Sequence, residues 1–482
     1  MSWLIQEYQQ LSAPVKASFW FTLSNVLVKG VSFITLPIFS RILTPEEYGQ
    51  VSVYSSWLSI FTIFCTLTIW GGVFNVAVVK YSEKMNNVVS AFQGMATTIT
   101  VAFFIVTLIF IGPISNLLGM SKILTVCMYL DILAQTPFAL WSSVQRYFYK
   151  YKALVILSIV LAVINPLIGF AAVTHTELRA EAKIITGLIL NIILGVWLFV
   201  VNQRKGKSFF NFKYWKYGFV FNIVLIPHYL SLQVLSQSDR LMINNLCGSS
   251  DAGIYSVAYT FAMLLGLFTS AINSSFTPWI YKNIKAEDYT SISKISNVVV
   301  AVVATLSLSL ICIIPDVFRW MLPEAYYSAV WVIPPVTVAS YFMFLYPLFG
   351  AIEFYYEENR YITAASIIGA IINIGLNYIF IRLFGYIAAA YTTLFCYILF
   401  SLAHYCFMRK VLKKNNLKIN LYDIKTLFFL SLSTIVLMVI ITILYNSTLL
   451  RWSFIVLLIL SGFVQRKKVL NVVNVLLIDK AN

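Results

Sequence analysis

A polar stripe containing one lysine runs along an otherwise apolar segment near the N-terminus. Its members recur at steps of three and four residues and so share one face of a helix: Ser18, Thr22, Asn25, Lys29 and Ser32. The segment, residues 16–40, is long enough to cross a bilayer. A lysine in the middle of such a helix usually faces water inside the protein. We therefore predict that Asn25 and Lys29 line a polar cavity for an anionic ligand. Snorkelling of Lys29 to an interface, or pairing with an acid on a neighbouring helix, are the alternatives.

A second apolar segment, residues 217–245, carries a similar stripe at helical spacing: Asn222, Tyr229, Gln233, Ser236 and Arg240. Gln233 stands 204 residues after Lys29, so the second stripe lacks the lysine. Arg41 and Arg240 lie near the outer ends of the two segments. A guanidinium suits paired hydrogen bonds to phosphate, although interfacial anchoring explains each arginine equally well. We predict that Arg41, Gln233 and Arg240 contact the same ligand as Lys29.

Each of the two segments also contains a proline, Pro37 in the first and Pro227 in the second. Proline removes a backbone donor and clashes with the preceding turn. The carbonyl that it frees is tolerated in a membrane where the backbone faces protein or water. We therefore predict that both prolines break their helices. A turn is also predicted after the first segment, at residues 44–49.

Few side chains within the apolar segments could exchange a proton or a cation. Asp131 lies in the fourth segment, Asp239 adjoins Arg240, and His228 follows Pro227. A carboxylate in a membrane span commonly pairs with a base, so an ion pair between Asp131 and Lys29 is the first interpretation and proton exchange the second. His228 is either a buried, hydrogen-bonded histidine or a proton relay. We retain Asp131, Asp239 and His228 as candidate ion-coupling residues.

Motifs for covalent chemistry are absent from the sequence. It contains no phosphate-binding loop, dinucleotide fingerprint, clustered metal ligands or paired nucleophile and base. The six cysteines lie singly, mostly within apolar segments, where they are expected to pack as small core residues. We therefore predict that the protein is not an enzyme and binds no cofactor or metal.

The amino-acid composition of the chain indicates which kind of secondary structure positions these residues. Of the 482 residues, 60% are hydrophobic and only 11% are charged. Apolar segments of membrane length recur along the whole chain, which predicts an all-α polytopic membrane protein with about fourteen transmembrane helices. The net charge of +16 is concentrated in alternate loops. This bias predicts cytoplasmic N- and C-termini and explains the basic charge without nucleic acid.

One loop has the composition of an interfacial helix. Residues 204–216 interleave lysines and arginines with phenylalanine, tyrosine and tryptophan. Such a segment is typical of a helix lying in an anionic membrane interface. Ordinary juxtamembrane anchoring is an equally good interpretation. The loop lies midway along the chain, where a linker between two halves is expected.

The chain also repeats itself. Residues 43–53 are similar in sequence to residues 247–257, and Gly49 matches Gly253 at an offset of 204. Each repeat holds an even number of segments, so both copies enter the membrane in the same direction, as in transporters with parallel repeats. We predict two parallel-repeat six-helix lobes, residues 1–210 and 211–410, around a central cavity. Residues 411–482 are expected to add two transmembrane helices and a cytoplasmic tail.

Three stretches give the chain a family resemblance: residues 37–49, residues 238–259 and residues 373–390. Pro37 to Gly49 resembles the first-helix signature of bacterial polysaccharide-unit exporters. The other two stretches, which contain Asp239-Arg240 and Asn373-Ile374-Gly375-Leu376-Asn377, are typical of the same proteins. The chain therefore resembles the flippases for O-antigen or capsule repeat units, within the multidrug/oligosaccharidyl-lipid/polysaccharide exporter superfamily, over nearly its whole length.

The resemblance implies a function in the bacterial cytoplasmic membrane. It implies movement of an undecaprenyl-diphosphate-linked oligosaccharide from the inner to the outer leaflet by alternating access. It also implies a cationic cavity, to which Lys29, Arg41 and Arg240 would belong, and coupling to protons or sodium. The expected partners are this lipid-linked substrate and membrane lipids, with a polysaccharide polymerase and other assembly proteins as further candidates. The alternatives are a cation-coupled small-molecule exporter, a lipid II flippase and, less favoured, a membrane glycan polymerase.

Overall fold

The computed structural model of the chain describes residues 12–417, 419–468 and 470–472, apart from the side chain of Asn359. Throughout these residues the secondary structure is helical and no strand occurs, which confirms the all-α fold class. The chain forms two compact units, the first ending at Gly253 and the second beginning at Ile254. The predicted tail after residue 472 lies outside the described residues.

The α-helices of the first unit are α1 (Ala13–Ile42), α2 (Pro45–Thr66), α3 (Gly72–Lys80), α4 (Met85–Ile109), α5 (Ile111–Leu118), α6 (Lys122–Tyr147), α7 (Tyr151–Thr174), α8 (Arg179–Gly206), α9 (Phe212–Ile223) and α10 (Ile226–Leu246). Helix α11 (Ser249–Ala262) crosses the boundary between the units. The second unit continues with α12 (Leu264–Lys285), α13 (Tyr289–Met321), α14 (Ile333–Tyr355), α15 (Asn359–Phe384), α16 (Ile387–Lys414), α17 (Ile424–Ile443) and α18 (Thr448–Val464).

Many of these helices can cross a membrane. Among the described residues, 11 helices are long and apolar enough to do so, and two bent helix pairs raise the number to 13. Helix α2 falls outside this set, but its 22 residues rise about 33 Å, which is also bilayer length. The predicted architecture, a polytopic helical membrane protein with about fourteen spans, is therefore confirmed.

The two prolines of the polar segments behave differently. Pro227 lies in the first turn of α10, after a break at which α9 and α10 are bent by 52°. This confirms the predicted break, because a proline in the first turn needs no backbone donor. The same prediction is wrong for Pro37, which lies inside α1 while the helix continues to Ile42. A membrane helix can continue through a proline where neighbouring groups satisfy the freed backbone.

The predicted turn at residues 44–49 is mostly helix. Helix α2 begins at Pro45, and Thr44 is its N-cap. The Thr44 hydroxyl accepts a hydrogen bond from the Glu47 backbone N–H (3.2 Å), and the Glu47 carboxylate accepts one from the Thr44 N–H (2.7 Å). This capping box satisfies two of the donors that a helix start leaves unpaired. The turn prediction was wrong because the Thr-Pro-Glu-Glu sequence starts a helix.

Two repeat-equivalent glycines meet where α2 and α11 begin. A Cβ atom on Gly49 would collide with the carbonyl oxygen of Ser249, and one on Gly253 with that of Pro45. The contact is reciprocal, because Pro45 and Ser249 are also separated by 204 residues. Reciprocal contacts are typical of a local twofold relation, as the internal repeat predicts. The repeat boundaries, residues 1–210 and 211–410, stay predictions. The two compact units divide the chain after Gly253 because they are defined by contacts between residues and not by sequence similarity.

In the second unit, a partly buried ion pair fastens α18 to α13. The fully buried Arg451 donates to both oxygens of Asp316, over 2.9 and 3.1 Å, and to the carbonyl of Cys312 over 2.8 Å. Trp452 Nε1 donates to the same carboxylate over 3.2 Å. A two-pronged arginine–carboxylate contact is directional as well as strong, so it fixes the start of α18 against α13.

Candidate functional site

The polar stripe of α1 is exposed. Asn25 and Lys29 lie one helical turn apart on a face whose other polar members, Ser18, Thr22 and Ser32, are also exposed. The helix packs elsewhere against α7, where Trp20 stacks on Tyr151 with ring centroids 6.1 Å apart. Within the described part of the chain Lys29 forms no ion pair. The stripe is therefore turned away from the helix packing, where an ammonium can meet a ligand or solvent.

Arg41 occupies the last turn of α1, and its side chain is exposed. Twelve residues separate it from Lys29, which corresponds to about 18 Å along the helix axis. The two cations are therefore too far apart to hold one diphosphate together. If both contact the same ligand, they must contact different parts of it.

Gln233 and Arg240 lie two turns apart on α10 and are half-buried. Arg240 Nη1 donates to the backbone carbonyl of Ser236 over 3.0 Å and to Oε1 of Gln237 over 2.5 Å. Gln237 Oε1 also accepts a hydrogen bond from the Ser56 hydroxyl of α2 over 3.1 Å. The guanidinium is thus oriented by its own helix, and that helix is tied to α2.

The best-defined polar cluster of the first unit surrounds Asp131 on α6. Its Oδ1 accepts hydrogen bonds from Gln135 Nε2 and Asn191 Nδ2, both over 2.8 Å, and its Oδ2 accepts one from the Tyr54 hydroxyl over 3.1 Å. The carboxylate is buried. These partners replace the Asp131–Lys29 ion pair, which does not form. We call Asp131, Tyr54, Gln135 and Asn191 the Asp131 cluster.

A cavity of about 310 Å³ adjoins the Asp131 cluster. Its walls include Gln135 and Asn191, together with Thr62 and Thr136. A buried carboxylate is costly while it is ionised, and three donors only partly replace the water that it has lost. Gln135 and Asn191 thus connect the buried carboxylate to a cavity that Asp131 itself does not line.

The other two candidate ion-coupling residues lie elsewhere along α10. Asp239 is buried, and His228 is half-buried near the start of the helix, with its Nδ1 lacking a partner. Eleven residues separate them, or about 16 Å along the axis. In the described ranges no three His, Cys, Asp or Glu side chains form a group that could hold a metal ion. The roles of Asp131, Asp239 and His228 in ion coupling stay predictions.

Sequence reasoning missed several polar partners. Gln135 is four residues from Asp131, so helical spacing could have identified it. Tyr54 and Asn191 come close only because α2 and α8 pack against α6, and nothing in their local sequence indicates this. In the second unit, His404 on α16 was also missed. Its Nδ1 lies 2.9 Å from Oε1 of Glu353 on α14, and both side chains are fully buried.

The helical architecture is that of membrane exporters and flippases. The chain superposes on the lipid II flippase MurJ in an inward closed conformation with a TM-score of 0.69 and 17% identity, over 94% of this chain and 100% of that one. An inward-facing multidrug resistance transporter of the MATE family gives a TM-score of 0.62 and 11% identity, over 84% of this chain and 100% of the other. At such low identities the similarity shows the fold alone.

Sequence comparison then gives the family. The profile of a family described as polysaccharide biosynthesis protein matches residues 15–284. The match covers more than half of the chain, which therefore belongs to the polysaccharide biosynthesis protein family. This confirms the family resemblance found in the sequence. The chain is a multi-pass membrane protein of that family.

Two bacterial proteins are similar to the chain in sequence. Lsg locus putative protein 1 of Haemophilus influenzae is 24% identical over 377 residues, which cover 74% of this chain and 88% of the relative. The succinoglycan biosynthesis transport protein ExoT of Rhizobium meliloti is 25% identical over 257 residues, covering 51% of this chain and 49% of the relative.

Proposed function

We propose that the protein is a flippase that moves undecaprenyl-diphosphate-linked oligosaccharide repeat units from the inner to the outer leaflet of the bacterial cytoplasmic membrane. The observation that carries the proposal is the family match over residues 15–284 in a chain with the fold of membrane exporters. The named function of the succinoglycan transport relative supports it. The cargo would serve the synthesis of O-antigen, capsule or exopolysaccharide.

The proposed substrate contacts are Lys29, Asn25, Arg41, Gln233 and Arg240. The exposed ammonium of Lys29 attracts the diphosphate, and Asn25 offers a hydrogen-bonding amide one turn away. Arg41, about 18 Å further along α1, reaches the sugars or the opposite end of the translocation path. The six-span lobes alternate in exposing these groups to the two sides. No covalent step is involved, so the protein needs no catalytic residues.

Ion uptake at the Asp131 cluster is the proposed source of energy. The carboxylate holds a proton or sodium ion in one state and releases it in the other, since its three hydrogen-bond donors stabilise the ionised form only in part. Asp239 and His228 are secondary candidates for the same role. Both termini are proposed to be cytoplasmic, in accordance with the distribution of Lys and Arg.

Deletion of the gene tests this function. Lipid-linked repeat units should accumulate on the inner face of the membrane, the surface polymer should disappear, and the wild-type gene should restore it. Normal polymer in a strain without a redundant flippase would contradict the proposal. Accumulation of lipid II with loss of viability would instead identify a peptidoglycan precursor as the cargo.

A further inference from the structure

The basic loop predicted at residues 204–216 covers the end of α8, the connection to α9 and the first residues of α9, and it is well anchored. Tyr214 on α9 is buried in a hydrophobic cluster with residues of α3 and α4, and Trp215 Nε1 donates to the Phe209 carbonyl over 3.1 Å. Phe210 and Phe212 nevertheless leave 74% and 80% of their surface exposed. Exposed aromatic rings beside lysines are typical of a segment that lies in a membrane interface.

Lysines from two elements converge around a pair of tyrosines at this place. Lys80, in the last turn of α3, has its Nζ 4.8 Å from the ring centroid of Tyr217 and 5.7 Å from that of Tyr81. Lys213 Nζ of α9 lies 5.8 Å from the Tyr81 ring. The two tyrosine rings pack edge to face, with centroids 5.7 Å apart. The ammonium groups are thus gathered by contacts with aromatic rings.

An open cavity of about 410 Å³ is formed there. It is lined by Tyr81, Lys213, Lys216, Tyr217, Val220 and Phe221. Its volume is in the range of ordinary ligand pockets, roughly 300–1,000 Å³. Lys80, Lys213 and Lys216 form no ion pair within the described ranges. We call the lining residues Tyr81, Lys213, Lys216 and Tyr217, together with Lys80, which does not line the cavity but lies against the same two tyrosine rings, the lysine–tyrosine pocket.

We propose that the lysine–tyrosine pocket binds the phosphate headgroup of a membrane lipid. The three ammonium groups, which form no ion pair among the described residues, favour an anionic oxygen ligand, and phosphate is the abundant anion at a bilayer surface. Val220 and Phe221 provide an apolar wall for the adjoining part of the lipid. The exposed Phe210 and Phe212 are expected to enter the membrane interface, which would bring the pocket close to the headgroups. Two lipids share this chemistry, an anionic phospholipid and a polyprenyl diphosphate.

This pocket is separate from the proposed substrate contacts, and its assignment does not depend on transport. It gives the basic loop a specific ligand instead of general anchoring. Removal of the pocket would therefore change lipid binding even in a protein that moves no cargo. The full-length protein, purified in detergent, is the appropriate sample.

Native mass spectrometry with added lipids tests the proposal. The probes are phosphatidylglycerol, undecaprenyl diphosphate and, as the zwitterionic reference, phosphatidylethanolamine. We expect wild type to bind one or both of the anionic lipids more tightly than the reference. The triple variant Lys80→Gln, Lys213→Gln, Lys216→Gln should weaken that binding by at least about tenfold, since each lysine near an anionic surface contributes appreciably. Preference for undecaprenyl diphosphate would identify the lipid as substrate-like, and preference for phosphatidylglycerol as structural.

The matched control removes three exposed lysines outside the pocket: Lys152→Gln, Lys205→Gln, Lys285→Gln. It lowers the net charge equally and should keep lipid binding. Equal losses in the two triple variants would overturn the proposal, because they would show diffuse surface attraction. Equal binding of zwitterionic and anionic lipids would also overturn it. Replacing the three pocket lysines by arginine, which keeps the charge, should preserve binding and shows that the effect of glutamine is not misfolding.

Discussion

At the scale of the residue, Lys29 is the side chain on which the proposed substrate contacts depend. It stands on the exposed face of a membrane-length helix and has no ion-pair partner within the described residues. A charge in such a position is costly in lipid and is therefore a candidate functional group. Arg240 differs, because its guanidinium is already held by Ser236 and Gln237.

Lys29→Ala should lower export about tenfold or more, because a charged hydrogen bond to phosphate contributes about 1.5–3 kcal/mol. Lys29→Arg should retain most of the activity, since it keeps the charge. The measurement is the surface polymer restored in a deletion strain, normalised to the amount of protein. Lys152→Ala, at the exposed start of α7, is the control. Full activity of Lys29→Ala would exclude Lys29 as a substrate contact.

The Asp131 cluster makes a separate prediction. Asp131→Asn keeps the shape and much of the hydrogen bonding but cannot exchange a proton or attract a cation. Transport driven by an ion gradient should therefore fall to the rate seen without a gradient, because the group that would exchange the ion is gone. Ion-driven uptake of labelled substrate into vesicles would show it. Tyr54→Phe, which removes one of the three donors to the carboxylate, should cost about 1.5–3 kcal/mol of stability and weaken coupling less than Asp131→Asn does. Undiminished coupling in Asp131→Asn would assign the cluster a structural role.

At the scale of the element, two helices approach so closely that only glycine fits at their contact. The starts of α2 and α11 meet at Gly49 and Gly253, where no Cβ fits. Gly49→Ala should lower the free energy of unfolding by about 1–3 kcal/mol, the usual cost of overpacking. The change in apparent melting temperature in detergent measures it. Gly30→Ala is the control, because no atom lies within 4 Å of the position that its Cβ would take. Equal melting temperatures for the two variants would contradict the tight crossing.

The attachment of α18 to α13 is also testable. Arg451→Met removes both hydrogen bonds to the Asp316 carboxylate, which is itself partly exposed, and should destabilise the second unit by about 1.5–3 kcal/mol. Replacing both residues, Arg451→Met with Asp316→Leu, should recover much of that loss, because no unpaired charge remains. Thermal unfolding of the two variants decides this. A double variant less stable than Arg451→Met would show that the ion pair is not the main contribution.

Much of the element structure could be predicted from the sequence. Hydropathy predicts the membrane spans, and the three- and four-residue spacing predicts the polar stripe of α1. Pro227 predicts the bend before α10. Pro37 was misjudged because its effect depends on what surrounds the helix. The capping box was readable in principle from Thr44 and Glu47. The Asp131 cluster was not, apart from Gln135, because its members are brought together by helix packing.

At the scale of the whole molecule, the order of the helices and the family membership support the proposed function. The chain has the fold of MurJ and MATE transporters and belongs to the polysaccharide biosynthesis protein family. Gly49 and Gly253, which occupy equivalent positions of the predicted repeat, meet in a reciprocal contact. The two six-helix lobes stay a prediction. The central claim of the proposed function is that the protein moves a lipid-linked oligosaccharide.

That claim is tested most directly by translocation in vesicles of defined composition. Purified protein is reconstituted with a fluorescent undecaprenyl-diphosphate oligosaccharide, and a membrane-impermeant quencher reports how much of it reaches the opposite leaflet over time. The account predicts faster transfer in vesicles with wild-type protein than in protein-free vesicles, and a marked loss with Lys29→Ala. Transfer no faster than in protein-free vesicles, with protein shown to be folded, would contradict it.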